Sequence, residues 1–115
     1  MRVIKVRELD EKLDSLDAVA VRESAVESME ELELAHHLAK KSFAKKKNIA
    51  RKFKYEFLLW LSGTRDIENA IRKTAPEKGK PFLLIVFSGQ MKGEKPALKK
   101  TADPLRLERI SLSRI

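Results

Sequence analysis

The chain contains no cysteine. That absence excludes disulfides, thiolate zinc sites and cysteine nucleophiles, and it fits a reducing compartment such as the cytoplasm. No apolar run reaches the roughly 18 residues that a membrane-spanning helix needs. The N-terminal stretch MRVIKVREL threads charges through its apolar residues, so it does not read as a secretion signal. Also missing are GxGxxG, GxxxxGK[ST], HExxH and GxSxG, the patterns that cradle phosphates, hold catalytic zinc or present a nucleophilic serine. There is no internal repeat, no low-complexity linker and no carboxylate pair of the nuclease kind. The chain therefore reads as non-enzymatic, with no catalytic residue, metal, cofactor or small-molecule substrate of its own, and with no membrane association.

What is present is enough chain for one domain. At 115 residues it supports one modest core but not two, and residues 1–115 are read as a single unit. Hydrophobic content of 43% is ordinary for a globular protein. The formal net charge is +8 and it is unevenly spread. Glu8 to Glu33 is rich in acids, whereas Lys40 to Lys54 carries only lysine and arginine as charges. A basic stretch of this kind attracts phosphates, although heat-stable proteins also load their surfaces with charge. Its concentration beside Asn48 favours nucleic acid as a partner.

Arg2 to Arg7 alternates, with Ile4 and Val6 on one side, and predicts a strand with one buried face. Leu9 to Leu16 is a short charged segment, read as a helical turn or loop, and AVAV (Ala18 to Val21) is a second short strand. Glu23 to Lys47 is the longest periodic segment. Met29, Leu32, Ala35, Ala39, Ser42 and Phe43 form its apolar stripe, and Glu30, Glu33, His37 and Lys41 line the other side. His36 falls at the edge of the stripe and His37 outside it. Neighbouring helical positions point about 100° apart and cannot easily share a metal, so His36 is read as packing at the core boundary and His37 as solvated. Arg65 to Thr74 predicts a further helix with Ile67, Ala70 and Ile71 inward, stopped by Pro76. FLLIVF (Phe82 to Phe87) is apolar without alternation and lies between Pro81 and Gly89. It predicts a central strand buried on both faces, with the two earlier strands beside it. Gln90 to Lys100 is polar and expected to be mobile. Asp103-Pro104 signals a helix start, with Leu105, Leu107 and Ile110 inward; the alternative is a terminal strand over Arg109 to Ile115. The fold expected is α+β: a small mixed or antiparallel sheet, strand order and direction open, packed against a layer of several helices.

The stretch from Asn48 to Ile67, NIARKFKYEFLLWLSGTRDI, carries the densest signals. Asn48 is expected to cap a helix beginning at Ile49, with Ile49, Phe53, Phe57 and Trp60 on one face and Arg51, Lys52 and Tyr55 opposite. Phe57 to Leu61 is apolar all round and should be buried. Glu56 is expected at an edge, paired with Lys52. Ser62-Gly63 closes the helix, and Thr64 caps the next with Asp66 in its first turn. The turn through Gly63 offers amides that suit an anion. Candidate nucleic-acid contacts are Asn48, Arg51, Lys52, Lys54, Gly63 and Arg65, with Tyr55 the nearest aromatic for stacking on a base. Leu34 and Leu38 lean away from the centre of the long helix's stripe and are candidates for a protein interface. Leu58 and Leu59 leave the main face of their helix and are expected to be covered by a second layer.

LAHH in the long helix, then NIAR, EFLLWLSGTRDI and AIRKTAP, resemble the kinase-binding subunit of the KEOPS tRNA-modification complex (the TPRKB family). The similarity is densest from Leu32 to Pro76 and extends from Met1 to about Gly89. The resemblance implies a non-catalytic accessory subunit that binds the complex's kinase-ATPase and the single-stranded CCA 3′ end of tRNA, in support of threonylcarbamoyladenosine synthesis. Members of that family usually continue with another helix beyond the position of Ile115, so whether this chain keeps the part of the kinase contact that the resemblance implies for that helix is left open. The alternative reading is a free-standing small basic RNA-binding protein without a kinase partner.

Overall fold

The computed structural model of the protein describes residues 1–7, 17–88 and 93–114. Strands β1 (Arg2–Val6), β2 (Ala18–Arg22) and β3 (Phe82–Val86) form one antiparallel sheet in the order β1-β3-β2. Helices α1 (Met29–Ala44), α2 (Phe53–Ser62), α3 (Ile67–Thr74) and α4 (Pro104–Ser111) complete an α+β architecture. The apolar run that becomes β3 is the middle strand, and all of its residues are buried. Ile85 faces Val3 across one ladder and Val19 across the other, while Leu84 faces Ile4 and Ala20. Because successive side chains alternate between faces, Val19, Val21, Leu83 and Ile85 join the helices in the main core. Ile4, Ala18, Phe82, Leu84 and Val86 form a second cluster on the other face. The segment Leu9 to Leu16 lies outside the described residues, as do the first residues of the Gln90 to Lys100 stretch. From Gly93 onward that stretch is held at two points: Lys5 N–H donates to the Glu94 carbonyl, and Met29 N–H donates to that of Lys99, both at 2.8 Å. No helix among the described residues is long and apolar enough to cross a membrane.

The long helix starts later than its periodicity implied. A short 3₁₀ turn (Glu23–Ala25) follows β2, and α1 begins at Met29. Ser28 caps it: its hydroxyl accepts from Glu31 N–H, and the Glu31 carboxylate reaches back to Ser28 N–H at 2.8 Å. That reciprocal arrangement satisfies donors the helix itself leaves free, and it fixes the start at Ser28. The expected stripe is otherwise present, with Leu32, Ala35, Ala39 and Ser42 buried.

Two helices are rotated relative to expectation. On α3 the buried residues are Ala70 and Thr74, while Ile67 is 37% and Ile71 42% exposed. Arg22 fixes the end of this helix by donating to the carbonyls of Arg72 and Ala75, at 2.6 and 2.9 Å. The face turned inward therefore carries small side chains that permit close approach. On α4, which is a helix rather than a strand, Ile110 is fully buried but Leu105 is 71% exposed. The inward face includes Arg106, whose Nε donates to Glu31 at 2.6 Å. Hydrophobicity alone could not place an arginine there. Thr64 does not cap α3. Asp66 does, accepting from Glu68 N–H, and Thr64 Oγ1 accepts from Asp66 N–H one turn earlier. Gly63 ends α2 in the left-handed region at φ 70°, and a Cβ there would lie 3.3 Å from Arg109 Cγ, so glycine meets both a conformational and a spatial demand.

Candidate functional site

The site forms where α1 ends, α2 begins and the chain returns after α4. Lys41 and Lys45 lie one turn apart at the C-terminal end of α1, where cations complement the negative end of the helix dipole. The helix stops because Lys46 adopts a left-handed conformation (φ 56°) and Lys47 N–H turns back to the Ser42 carbonyl at 2.8 Å. This is a helix stop normally made with glycine.

Asn48 does not cap the next helix. Its Nδ2 donates to the Ala50 carbonyl at 2.8 Å, and α2 begins only at Phe53, with Lys52 in the cap position. The cause lies in Glu56. Its Oε1 accepts from the backbone amides of Ile49 and Ala50, at 3.0 and 3.1 Å, and holds residues 48–52 as a loop rather than a helical turn. Glu56 has no exposed surface, so its expected edge pairing with Lys52 does not occur. Its partner is Arg114, whose Nη1 donates to Oε2 at 2.6 Å. Burial pushes the Glu56 carboxyl up. The Arg114 hydrogen bond, the Ala50 and Ile49 amides and the Arg114 charge outweigh that effect and hold it below the usual carboxylate range.

Glu31 follows the same plan. Its Oε2 accepts from the amides of Glu27 and Ser28, and its Oε1 accepts from Arg106. Each buried glutamate thus ties the loop ahead of its own helix to an arginine of the C-terminal segment.

Beside Arg114 lies a pocket of about 470 Å³, a size typical of small-ligand sites. Leu38, Ile49 and Trp60 supply its apolar wall, and Lys41, Lys45, Lys47 and Arg65 its charges. Ser42 and Arg114 also line it, and among the described residues no acidic one does. Trp60 Nε1 donates to Ser42 Oγ at 3.1 Å, which fixes the indole. The Arg114 guanidinium lies over that indole, 4.0 Å from the ring centroid, with its side chain 12% exposed. Its Nη1 also reaches Ser42 Oγ at 3.4 Å, while Nε and Nη2 are shielded from solvent and have no hydrogen-bond partner among the described residues. An aromatic plane, an apolar wall and several cations at one place suit a ligand with both a flat apolar part and negative charge.

Of the residues proposed from sequence, only Arg65 and Leu38 line this pocket. Asn48 is half-buried beside it, and Arg51 and Lys52 are exposed on the adjoining loop. Lys54 lies with its Nζ 5.4 Å from the centre of the Tyr55 ring, and both residues sit on the first turn of α2 away from the pocket lining. The amides of the Gly63 turn are not free. Gly63 N–H donates to Trp60 and Thr64 N–H to Leu59, so the anion site expected there is not formed. Leu34 is half-buried against the core, as is Leu38, and Leu58 and Leu59 are covered as expected. His36 lies at the core boundary between Phe53 and Phe87, stacked on the latter at 5.9 Å, and His37 is exposed. The spacing of Lys41 and Lys45 was a legible signal for a cationic ridge. Nothing near Glu56 in sequence pointed to Arg114.

No protein-family model matches the chain, and no curated protein matches its sequence.

Proposed function

We propose that this protein is a non-catalytic accessory subunit of the KEOPS complex, binding the CCA 3′ end of tRNA in the pocket beside Trp60 and docking on the complex's kinase-ATPase in the cytoplasm. The observation that carries the RNA half of this reading is the pocket itself. Its lysines and arginines line one cavity with no acidic residue among the described lining, next to an aromatic ring and an apolar wall. Backbone phosphates need the first feature, and an unstacked terminal base needs the second. The resemblance over Leu32 to Pro76 supports the same assignment, because NIAR, Trp60 and Arg65 all meet at or beside this cavity. For kinase docking, Leu34 and Leu38 are less suitable than expected, since both are half-buried against the core. The exposed Ile67 and Ile71, one turn apart on α3, are better placed for a partner.

Charge removal separates the two roles. Lys45→Ala with Arg65→Ala is expected to weaken tRNA binding at least tenfold at constant ionic strength and to leave the kinase bound. Ile71→Glu is expected to do the reverse. Retention of the kinase by the unaltered protein after nuclease treatment supports a direct contact. Loss of every partner on nuclease treatment would instead favour a free-standing RNA-binding protein.

A further inference from the structure

Three local signals at the start of α2 go unused, and they describe one conformation. Asn48 is a good helix cap, and Ile49-Ala50-Arg51-Lys52 contains no residue that breaks a helix. A helix starting at Ile49 would place Lys52 one turn before Glu56, with opposite charge. It would also turn Ile49, which is 46% exposed, onto the face of Phe53 and Phe57. In the fold none of this happens. Glu56 Oε1 accepts from the amides of Ile49 and Ala50, and Asn48 Nδ2 donates to the Ala50 carbonyl instead of capping. The Ala50 amide is the point of conflict. Glu56 takes it in the loop, and it is among the first-turn amides that an Asn48 cap would take in the helix.

Arg114 settles that conflict. Its Nη1 donates to Glu56 Oε2 at 2.6 Å and keeps the carboxylate turned into the fold. The clamp is incompletely satisfied, because Arg114 Nε and Nη2 are buried with no hydrogen-bond partner among the described residues. Buried donors left unpaired carry a desolvation cost, so the clamped state is less secure than its short ion pair alone implies.

We propose that Glu56 and Arg114 form a latch on residues 48–52. Closed, the latch holds them as the observed loop, with Lys47 and Ile49 in the pocket lining. Open, residues 49–52 add a turn to the start of α2, Asn48 caps it, and Glu56 pairs with Lys52. Ile49 then changes its place, and the pocket changes shape with it. A ligand that fits the closed lining binds only that form, so it draws the population toward the closed latch. The identity of that ligand rests on the reading of the pocket as an RNA site; the latch itself does not.

The test compares the backbone carbon shifts of residues 49–52 in the unaltered protein and in Arg114→Met, which keeps a long apolar side chain against Trp60. Arg114→Met should move the Cα resonances of Ile49, Ala50, Arg51 and Lys52 to helical values and leave those of β3 in place. Its affinity for the trinucleotide CpCpA should fall about tenfold, because apparent affinity scales with the fraction of closed form. Loop shifts that stay unchanged, or move only to random-coil values, in a folded Arg114→Met overturn the latch. If that variant does not fold, carbon saturation transfer on the unaltered protein decides. A minor state with helical shifts at residues 49–52 supports the latch; no minor state, or one at random-coil values, overturns it. Helical shifts in Arg114→Met together with unaltered affinity for CpCpA support the latch and tell against the RNA reading of the pocket.

Discussion

Replacing Glu56 by alanine is the perturbation with the largest effect expected on the fold around the pocket. The side chain is fully buried, accepts two backbone amides and pairs with Arg114 at 2.6 Å. Removing one partner of a buried ion pair costs about 3–5 kcal/mol, because the other charge is left uncompensated. The stranded amides of Ile49 and Ala50 would add about 1–3 kcal/mol each if they stayed dry. Ile49, however, is exposed, and the loop can open to water, so the terms do not sum. The expected loss is therefore about 3–5 kcal/mol, a large share of the roughly 6–17 kcal/mol that a domain of this length holds. Urea unfolding followed by Trp60 fluorescence and by far-UV circular dichroism measures it, and the midpoint should fall by more than about 1 M. Glu56→Gln keeps an oxygen for the two amides and should lose less.

The pH dependence checks the same reasoning. Because the folded carboxyl lies below its ordinary value of 4.5, its contribution is fully present above that value. It is lost as pH falls through the lower folded value. The wild type should therefore lose more stability than Glu56→Gln on acidification below about pH 4.5. A Glu56→Ala protein within about 1 kcal/mol of wild type would refute the argument, since a fully buried carboxylate paired with an arginine could not be removed so cheaply.

Other expectations follow from single residues. Trp60→Ala should cost about 3–5 kcal/mol, as large buried aromatics do, measured by the urea midpoint from circular dichroism; a near-neutral result would mean that the indole does not pack as described. Lys46→Gly relieves about 1–2 kcal/mol of left-handed strain against about 0.5–1 kcal/mol of added unfolded-state freedom, so it should stabilise the protein slightly in the same assay; a clear loss would show that Lys46 makes a contact worth more than its strain. His36 is held below its ordinary 6.5 first by burial and then by the charges of the N-terminus, Lys40 and His37. The unfolded chain then binds the proton more readily, so stability should decline as pH falls below 6.5 and His36→Phe should flatten that decline. An identical pH profile in both proteins would place the His36 ring in water.

The parts of the fold legible in sequence were those governed by hydrophobic pattern. The unbroken FLLIVF run announced a central strand, and the Met29 to Phe43 stripe announced the face of α1. The apolar stretch of α2 announced its burial, and the Ser-Gly pair its end. Two of the errors share one cause: a charged side chain drawn into the fold overrode a local signal. Asn48 is a good cap by type, but Glu56 takes the amides that a cap at that point would leave to the helix. Leu105 looked like a core residue until Arg106 was drawn inward by Glu31. Ile67 and Ile71 lost the inward face of α3 to Ala70 and Thr74. The site was half legible for the same reason. Arg65 and the lysines at the end of α1 could be found from local charge, whereas Arg114 reaches Glu56 across 58 positions of sequence, a distance that periodicity and motif cannot bridge.

The most direct test of the account is a titration of the protein with full-length tRNA and with the same tRNA lacking its terminal CCA, at two salt concentrations. The pocket reading predicts that trimming weakens binding at least tenfold at both salts, and that Lys45→Ala with Arg65→Ala abolishes the difference. Equal affinity for the two RNAs, falling steeply and in parallel with salt, would contradict it and reduce the +8 charge to a general attraction for phosphate.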